Sequence, residues 1–369
     1  MALAISDQVR ALMRPSAAAL EPYDPGFSPV EVNLSANENT YGMPPAVRER
    51  LNAALAATPL NRYPVPLADA LRQRIADWHG VTPAQVCVGN GGDELLFNLF
   101  LAFGGPGHVL VNCPPTFSVY GLYAGLVDTP VVDVPRDPVT LRPNMDALVE
   151  AARTAHLVIL TSPNNPTGDV ASRQDVARLC QACPGIVLLD EAYMEFAPDG
   201  TTCEDLVNTY PNLAVLHTFS KAFAFAGGRL GYILADPSVV GALAAVRQPY
   251  TVDVLVQAAA EVIADSRADF QPTIDCIKAE RTRVYQALLG MGGLGVTVWP
   301  SCANFLCVRV PDAPRVWATL RDRHSILVRN FSSTPGLGGC LRVTIGKPEE
   351  NDRVLAALNQ ILSQSSKEA

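Results

Sequence analysis

The sequence predicts an α/β fold with a mainly parallel central sheet between helices and a smaller α+β lobe. Short, wholly apolar segments of strand length alternate with helical segments, which is typical of a parallel sheet covered on both faces. The 369 residues exceed what one small core needs, so two lobes are expected. The alternation changes near residue 250. We therefore predict an N-terminal arm at 1–45 that is part of the smaller domain, a large domain at 46–250 and a C-terminal small domain at 251–369.

The predicted elements of the first two segments follow in chain order. Residues 1–20 indicate a short helix or arm, and the Pro-, Gly- and Asn-rich residues 21–45 indicate an extended lead-in. In the large domain, the spacing of apolar residues predicts helices over 46–57, 67–79, 93–103, 145–154 and 173–183. Apolar runs predict strands over 85–88, 109–112, 131–134, 156–160, 186–189 and 213–216.

The C-terminal segment has a different order of elements. A helical stretch covers 255–289, with expected interruptions at 265–269 and near Pro272. Strands are predicted over 296–299, 305–308, 326–328 and 341–345, and a closing helix over 349–362. This order indicates the smaller α+β lobe.

Composition and charge limit the classes of function. The net charge of −8 argues against nucleic acid or an anionic membrane as a partner. No apolar run approaches the roughly 18 residues of a membrane helix, and residues 1–14 lack a signal-peptide core. Nine cysteines without a secretory signal indicate reduced thiols and a cytoplasmic location. Cys180 and Cys183 have no second pair at zinc spacing, and the five histidines show no ligand spacing, so no metal site is expected.

Two motifs that follow predicted strands can bind a phosphate and a ring oxygen. Residues 89–94 read Gly-Asn-Gly-Gly-Asp-Glu, where glycines admit a ligand to the backbone and a helix N-terminus offers N–H groups to a phosphate. Such turns are also common without a ligand, and Asp93 would cap the helix in either case. Residues 162–168 read Ser-Pro-Asn-Asn-Pro-Thr-Gly, whose prolines fix asparagine amides that can donate to a phenolate oxygen, although the turn itself needs no ligand.

A carboxylate and a lysine follow the next two predicted strands. Asp190 begins Asp-Glu-Ala-Tyr, and a buried carboxylate there needs a partner such as a protonated ring nitrogen; capping of a helix is the alternative. Lys221 lies in Phe-Ser-Lys-Ala-Phe, and Arg229 ends Gly-Gly-Arg. Burial and nearby cations make a lysine nucleophilic towards an aldehyde, and the alternative is a lysine stem that covers a core segment. Together the four motifs fit pyridoxal 5′-phosphate and few other ligands.

With these motifs the chain resembles the fold-type I pyridoxal-phosphate aminotransferases, and most closely the histidinol-phosphate aminotransferase family. The similarity extends from Asn-Glu-Asn at 37–39 to Arg-Val-Thr-Ile-Gly at 342–346. Three further motifs narrow the resemblance to the histidinol-phosphate branch: Asn-Arg-Tyr-Pro at 61–64, Cys-Pro-Pro-Thr-Phe at 113–117 and Gly-Cys-Leu-Arg at 339–342. The resemblance implies that histidinol phosphate and 2-oxoglutarate are converted reversibly to imidazole-acetol phosphate and glutamate, in histidine biosynthesis.

The resemblance also implies roles for individual residues. Lys221 would bond to the cofactor aldehyde and then carry a proton, Asp190 would bind the ring nitrogen, and Asn165 and Tyr193 would bind the ring oxygen. Phe117 would stack on the ring. The residues implied for the cofactor phosphate are Gly92, Asp93, Ser220, Arg229 and, across the interface of a homodimer, Tyr63. The residues implied for the substrate are Arg342, Arg329, Tyr23 and Asn165.

Other functions stay open at this point. Arg342 could instead pair with an exposed carboxylate, since an arginine in a strand does not need a ligand. An aromatic amino-acid aminotransferase shares every cofactor residue, and a phosphothreonine decarboxylase has the same scaffold. A non-catalytic cofactor-binding regulator is disfavoured because the N-terminal residues are too short and insufficiently basic for a DNA-binding domain. A dehydrogenase is disfavoured because residues 89–94 lack the full dinucleotide fingerprint.

Overall fold

Two sheets, each packed against helices, organise the protein. The computed structural model describes residues 5–18, 20 and 28–368. Its strands are β1 (Val32–Leu34), β2 (Val86–Gly89), β3 (Leu110–Asn112), β4 (Val131–Asp133), β5 (Leu157–Thr161), β6 (Ile186–Asp190), β7 (Leu213–Thr218), β8 (Gly231–Ala235), β9 (Thr297–Val298), β10 (Phe305–Arg309), β11 (Ile326–Asn330) and β12 (Cys340–Thr344). Its α-helices are α1 (Asp7–Arg10), α2 (Pro15–Ala18), α3 (Pro45–Ala57), α4 (Asp69–His79), α5 (Gly91–Phe103), α6 (Val119–Leu126), α7 (Met145–Ala152), α8 (Arg173–Ala182), α9 (Pro237–Val246), α10 (Val254–Asp265), α11 (Gln271–Leu289), α12 (Ala313–His324) and α13 (Pro348–Glu368).

The larger sheet has seven strands in the order β2–β8–β7–β6–β5–β3–β4. From β7 to β4 every neighbouring pair is parallel, whereas β8 is antiparallel to both β7 and β2. The central strands β5 and β7 are buried along their whole length, as expected when helices cover both faces of a sheet. The predicted mainly parallel sheet between helices is confirmed.

The smaller sheet has the order β1–β11–β12–β10–β9. Strand β1 is parallel to β11, and the other pairs are antiparallel. Helices α11 and α12 pack on strands of this sheet, and α13 packs on both helices. Because β1 pairs with β11, a segment from the start of the chain joins the C-terminal elements. The domain boundaries at residues 45 and 250 stay a prediction.

Some elements were not recognised in the sequence. These are β1, β8, α6, α9 and α12. Strand β1 has only three residues, with Asn33 in its centre, and α6 contains Gly121 and Gly125, which weaken a helix signal. The predicted interruption of the C-terminal helical stretch is confirmed, because α10 ends at Asp265 and Pro272 lies in the first turn of α11. Over the described ranges, no helix is both long and apolar enough to cross a membrane.

Candidate active site

A cleft of about 530 Å³ lies between the two sheets. Its walls come from the carboxyl ends of β5, β6 and β7, the N-terminus of α5, residues 35–38, and strands β11 and β12. The carboxyl ends of parallel strands meet at one edge of a sheet, which is why motifs far apart in the chain converge here. Among the described residues, every predicted site residue except Tyr63 lines the cleft. Tyr23 lies outside the described residues.

Lys221 follows β7 and extends its amine into the cleft. Its Nζ donates a hydrogen bond to the carbonyl oxygen of Ala36 at 3.0 Å and lies 5.9 Å from the centre of the Tyr193 ring. Burial and, to a smaller extent, the positive charges of Arg342 and Arg229 lower the pKa of Lys221 to about 8, against the opposing effects of Glu38 and Asp93. A substantial fraction of the amine is therefore neutral near physiological pH, as a nucleophile requires.

Asp190 is the last residue of β6, and its side chain is almost completely buried. Tyr120 Oη donates to one carboxylate oxygen at 2.7 Å, and the backbone N–H of Ala192 donates to the other at 3.0 Å. Burial raises the pKa of Asp190, while these two hydrogen bonds favour its ionised form. A cationic group in the cleft would stabilise the carboxylate further.

Arg342 on β12 connects the two halves of the cleft. Its Nη1 donates to Asn165 Oδ1 at 2.6 Å, and its Nη2 donates to the carbonyl oxygen of Ser35. The guanidinium carbon lies 5.5 Å from the centre of the Phe305 ring and 5.6 Å from that of Phe331, so two aromatic faces hold the group in place. These contacts hold both terminal nitrogens of the guanidinium at the cleft wall.

Arg329 lies directly across from Arg342 in the antiparallel pair of β11 and β12. Residues opposite each other in such a pair extend from the same face, and both arginines line the cleft. Two like charges at opposed positions of neighbouring strands destabilise a sheet. An anion bound between or beside them would reverse that cost, so this pair is a candidate anion site.

Tyr193 completes the cleft beside Lys221. Its hydroxyl accepts a hydrogen bond from Asn37 Nδ2 at 3.0 Å, and burial raises its pKa. Asn37 is itself held by Thr344, which donates to Asn37 Oδ1 and accepts from the Asn37 backbone N–H. The tyrosine ring packs edge-on against Phe305, with 5.0 Å between the ring centres. The phenol is therefore fixed in place by residues of the smaller sheet.

A second candidate anion site lies at the N-terminus of α5. The first-turn N–H groups of a helix are free to bind an anion, and this 13-residue helix has no side-chain cap at Asn90. Arg229 Nη2 donates to Asp93 at 2.8 Å, and Nη1 lies 3.5 Å from Ser220 Oγ. Gly91 has φ +78°, and a Cβ there would lie 2.6 Å from Arg229 Nη2. Only glycine lets the guanidinium approach the helix end this closely.

These groups form a set that can hold a phosphorylated aromatic aldehyde and shift protons on it. The chain also matches known proteins along nearly its whole length. Residues 29–358 match the profile of the family described as Aminotransferase class I and II. The chain belongs to the class I and II aminotransferase family. This aminotransferase shares the fold of solved aminotransferase structures, which is the fold-type I architecture.

Relatives of this aminotransferase carry the name histidinol-phosphate aminotransferase. A protein of that name from Carboxydothermus hydrogenoformans is 38% identical over 94% of this chain and 97% of its own length. One from Thermococcus gammatolerans is also 38% identical, with the same coverage of 94% and 97%. The crystal structure of the Sinorhizobium meliloti histidinol-phosphate aminotransferase in complex with pyridoxal-5′-phosphate superimposes with a TM-score of 0.86 at 26% identity, over 95% of this chain and 98% of that one. An L-threonine-O-3-phosphate decarboxylase from Porphyromonas gingivalis has a TM-score of 0.79 at 26% identity, over 90% and 99%.

Sequence reasoning missed several residues of the aminotransferase site. Tyr120 was not singled out, because it lies in an unrecognised helix among apolar residues that resemble core. Ser35 and Ala36 contribute backbone carbonyls, which leave no side-chain signal. Asn37 enters the sequence analysis only as part of the Asn-Glu-Asn motif. The two residues are far apart in the chain, so the sequence does not reveal that Asn37 contacts Tyr193.

Tyr63 is the predicted residue that the aminotransferase chain does not bring to its own cleft. Its side chain is 81% exposed and stacks on Tyr250, with 4.6 Å between ring centres and 18° between ring planes. Phe117 does line the cleft and packs edge-on against Tyr120 at 5.6 Å. Tyr63 therefore does not line the cleft of its own chain.

Proposed function

We propose that this aminotransferase converts histidinol phosphate and 2-oxoglutarate reversibly to imidazole-acetol phosphate and glutamate, with pyridoxal 5′-phosphate as its cofactor. The observation that carries the proposal is the opposed pair Arg329 and Arg342 on the cleft wall. Histidinol phosphate has a phosphate and no carboxylate, whereas glutamate has carboxylates. Both anions suit a guanidinium fork, so one site can accept the two substrates in turn. The names of the similar proteins support this substrate.

The residues present fit the proposed cofactor. The α5 N-terminus with Arg229 and Ser220 forms a cradle for a phosphate, because Gly91 keeps the space above the helix end free of a Cβ. Also in the cleft, the buried carboxylate of Asp190 offers an anion to a protonated ring nitrogen. Lys221 provides an amine with a pKa of about 8 for the aldehyde. Asn165 and Tyr193 would bind the ring oxygen, and Phe117 would contact the ring face.

The chemistry then follows from where the chain places its charges. Bound in this cleft, pyridoxal phosphate supplies an electron-accepting ring that stabilises negative charge on the substrate carbon. Asp190, held by Tyr120, favours a proton on the neighbouring nitrogen. Lys221 can take a proton from the substrate carbon at Nζ and return it, because its lowered pKa allows both directions near neutral pH. The arginine pair holds the substrate anion during this transfer.

A comparison of substrates tests the proposal. We expect a higher kcat/KM for histidinol phosphate than for phenylalanine. We also expect that the enzyme transaminates histidinol phosphate and that it releases no CO₂ when phosphothreonine is the substrate. Arg329→Gln should lower kcat/KM for histidinol phosphate about 10–100-fold, the equivalent of one lost charged hydrogen bond of about 1.5–3 kcal/mol. Arg321→Gln is a matched control, because that half-buried arginine pairs with Asp322 outside the cleft. A preference for phenylalanine, or CO₂ from phosphothreonine, would contradict the proposal.

We also propose that two copies of the chain form the active unit, with Tyr63 completing the cofactor site of the partner. The high exposure of Tyr63 and of its neighbours Leu60 and Val65 supports this arrangement, since such apolar side chains favour burial in an interface. The nine free thiols suit the reducing cytoplasm, which we propose as the location.

Mixed subunits distinguish a shared site from a separate one. Lys221→Ala and Tyr63→Phe homodimers should each have low activity on their own. In a mixed dimer, the Tyr63→Phe subunit retains its own lysine and receives an intact tyrosine from the other chain. Co-refolding the two variants should therefore restore activity above the sum of the separate samples. If Tyr63 serves its own chain, mixing restores nothing.

A further inference from the structure

A cluster of buried acidic and imidazole side chains lies behind the large sheet, on the face opposite the cleft. It contains Glu191, directly after β6, His217 in β7, and Glu204, the first residue of a short 3-10 helix (Glu204–Asn208) that precedes β7. Side chains alternate between the faces of a strand. Leu216 and Thr218 line the cleft, so His217 between them extends from the other face. The cluster is therefore separate from the aminotransferase site.

The geometry points to a binding site for one divalent transition-metal cation of the zinc class, with Glu191, Glu204 and His217 as ligands. One potential ligand atom from each of these residues lies within 4.8 Å of the other two. Two carboxylates and one imidazole are a ligand set that zinc and similar ions accept, usually with water in the fourth position. Two carboxylates also balance the charge of a divalent ion.

His217 is the observation that separates this cluster from an ordinary acidic patch. The residue is only 3% exposed, and its Nε2 has no hydrogen-bond partner. That nitrogen lies 3.7 Å from Glu191 Oε2 and 3.6 Å from Glu204 Oε2, too far for hydrogen bonds. Metal–ligand distances of about 2.0–2.1 Å place neighbouring ligands of a tetrahedral ion about 3.4 Å apart. A shift of a few tenths of an ångström would bring His217 Nε2 to that spacing from each carboxylate.

The surrounding groups orient the proposed ligands. Thr202 Oγ1 donates to Glu191 Oε2 at 2.5 Å, and the backbone N–H of Cys203 donates to Glu191 Oε1 at 2.8 Å. His79 Nδ1 lies 2.9 Å from Glu204 Oε2, and its Nε2 lies 2.8 Å from the hydroxyl of Tyr232. Such outer contacts are the usual means of fixing ligand carboxylates around a metal.

Access to the cluster comes from one side. Glu191 and His217 are buried, whereas the Glu204 side chain is 26% exposed. A cation can therefore enter past Glu204 without disturbing the sheet. Because the ligands join the end of β6 to β7, a bound ion would cross-link the two strands that carry Asp190 and lead to Lys221. The expected consequence is greater stability of the folded enzyme, since a ligand that binds only the folded state stabilises it.

Metal titration of the holoenzyme tests the inference. After dialysis against a chelator, the wild-type protein should bind about one Zn²⁺ by calorimetry, much more tightly than Mg²⁺, and Zn²⁺ should raise its Tm. Glu204→Gln and His217→Gln should each weaken Zn²⁺ binding at least about tenfold and remove the Tm increase. Glu195→Gln should bind as wild type, because Glu195 is a carboxylate close in sequence to Glu191 that is not among the three ligands.

Substitution by Co²⁺ identifies the ligands independently. A nitrogen and oxygen ligand set gives visible d–d bands without the charge-transfer band of a cysteine thiolate, which excludes binding by the nine cysteines. If His217→Gln does not fold, Glu204→Gln still tests the proposed zinc site, because Glu204 lies at the partly exposed edge of the cluster. The inference is overturned if wild type binds no Zn²⁺, if Glu204→Gln binds it equally well, or if the Co²⁺ spectrum is that of a thiolate site.

Discussion

Replacing Lys221 by methionine should stabilise the cofactor-free enzyme at neutral pH while removing its activity. The reason is the pKa of Lys221, which falls from 10.5 to about 8 in the folded protein, chiefly through burial. Each pKa unit corresponds to about 1.4 kcal/mol, so the charged lysine costs at most about 3.4 kcal/mol. Solvent in the cleft screens part of this cost. Methionine also loses the bond to Ala36, worth about 1 kcal/mol, which leaves a net gain of about 1–2 kcal/mol.

The gain should depend on pH in a definite direction. The folded-state pKa lies below the unfolded value, so the unfolded chain binds more protons between about pH 8 and pH 10.5. The Lys221 contribution to wild-type stability therefore rises through that interval as the amine becomes neutral in both states. Methionine does not titrate, so its advantage is fully present below about pH 8 and disappears towards pH 10.5.

Urea unfolding of the cofactor-free proteins measures this difference. The free energies of unfolding of wild type and Lys221→Met are compared at pH 7, 8, 9 and 10 and at one protein concentration, because assembly adds to stability. Lys278→Met on α11, outside the cleft, is the control for general effects of a lysine-to-methionine change. A Lys221→Met protein that is less stable than wild type at pH 7, or a difference that is constant with pH, refutes the reasoning.

Three further variants probe the proposed cofactor site. Lys221→Ala should abolish multiple-turnover transamination and the visible absorbance of lysine-bound cofactor; retained turnover would rule out the proposed role. Tyr120→Phe removes the 2.7 Å hydrogen bond to Asp190 and should lower kcat/KM about 10–100-fold, from the 1.5–3 kcal/mol of a bond to a charged group, whereas Tyr123→Phe on the same helix should have little effect. Gly91→Ala combines a positive φ with a 2.6 Å contact and should weaken cofactor binding at least about fivefold in a fluorescence titration, from strain of about 1–3 kcal/mol; unchanged affinity would exclude the cradle.

The sequence predicted the central part of the fold because that part depends on local patterns. Apolar strands and the helices between them are visible as runs and periodicities, and parallel strands bring the ends of β5, β6 and β7 to one edge. Strand β8 was missed because its five residues follow a glycine-rich motif directly and contain glycine and alanine at their ends. Strand β1 depends on pairing with β11, almost 300 residues further along the chain, which no local pattern encodes.

The residues of the candidate sites also fall into two groups: those that a local sequence pattern reveals and those that depend on how distant segments pair. Asp190 and Lys221 are recognisable because a charged residue at or just beyond the end of an apolar strand needs a chemical reason. The opposition of Arg329 and Arg342 is a matter of strand register, which follows from the pairing of β11 with β12 and not from either segment alone. The histidine and glutamates behind the sheet likewise lack a spacing motif, since they come from three separate segments.

The backbone carbonyls of Ser35 and Ala36 have a consequence for how this protein can vary. They accept hydrogen bonds from Arg342 and Lys221, the two basic residues that we propose act on the substrate. Every amino acid carries the same carbonyl, so the side chains at these two positions can drift during evolution while the contacts persist. What selection must preserve there is the path and length of the chain. An insertion or deletion between β1 and Asn37 would move both acceptors at once, whereas exchanging either side chain would leave them in place.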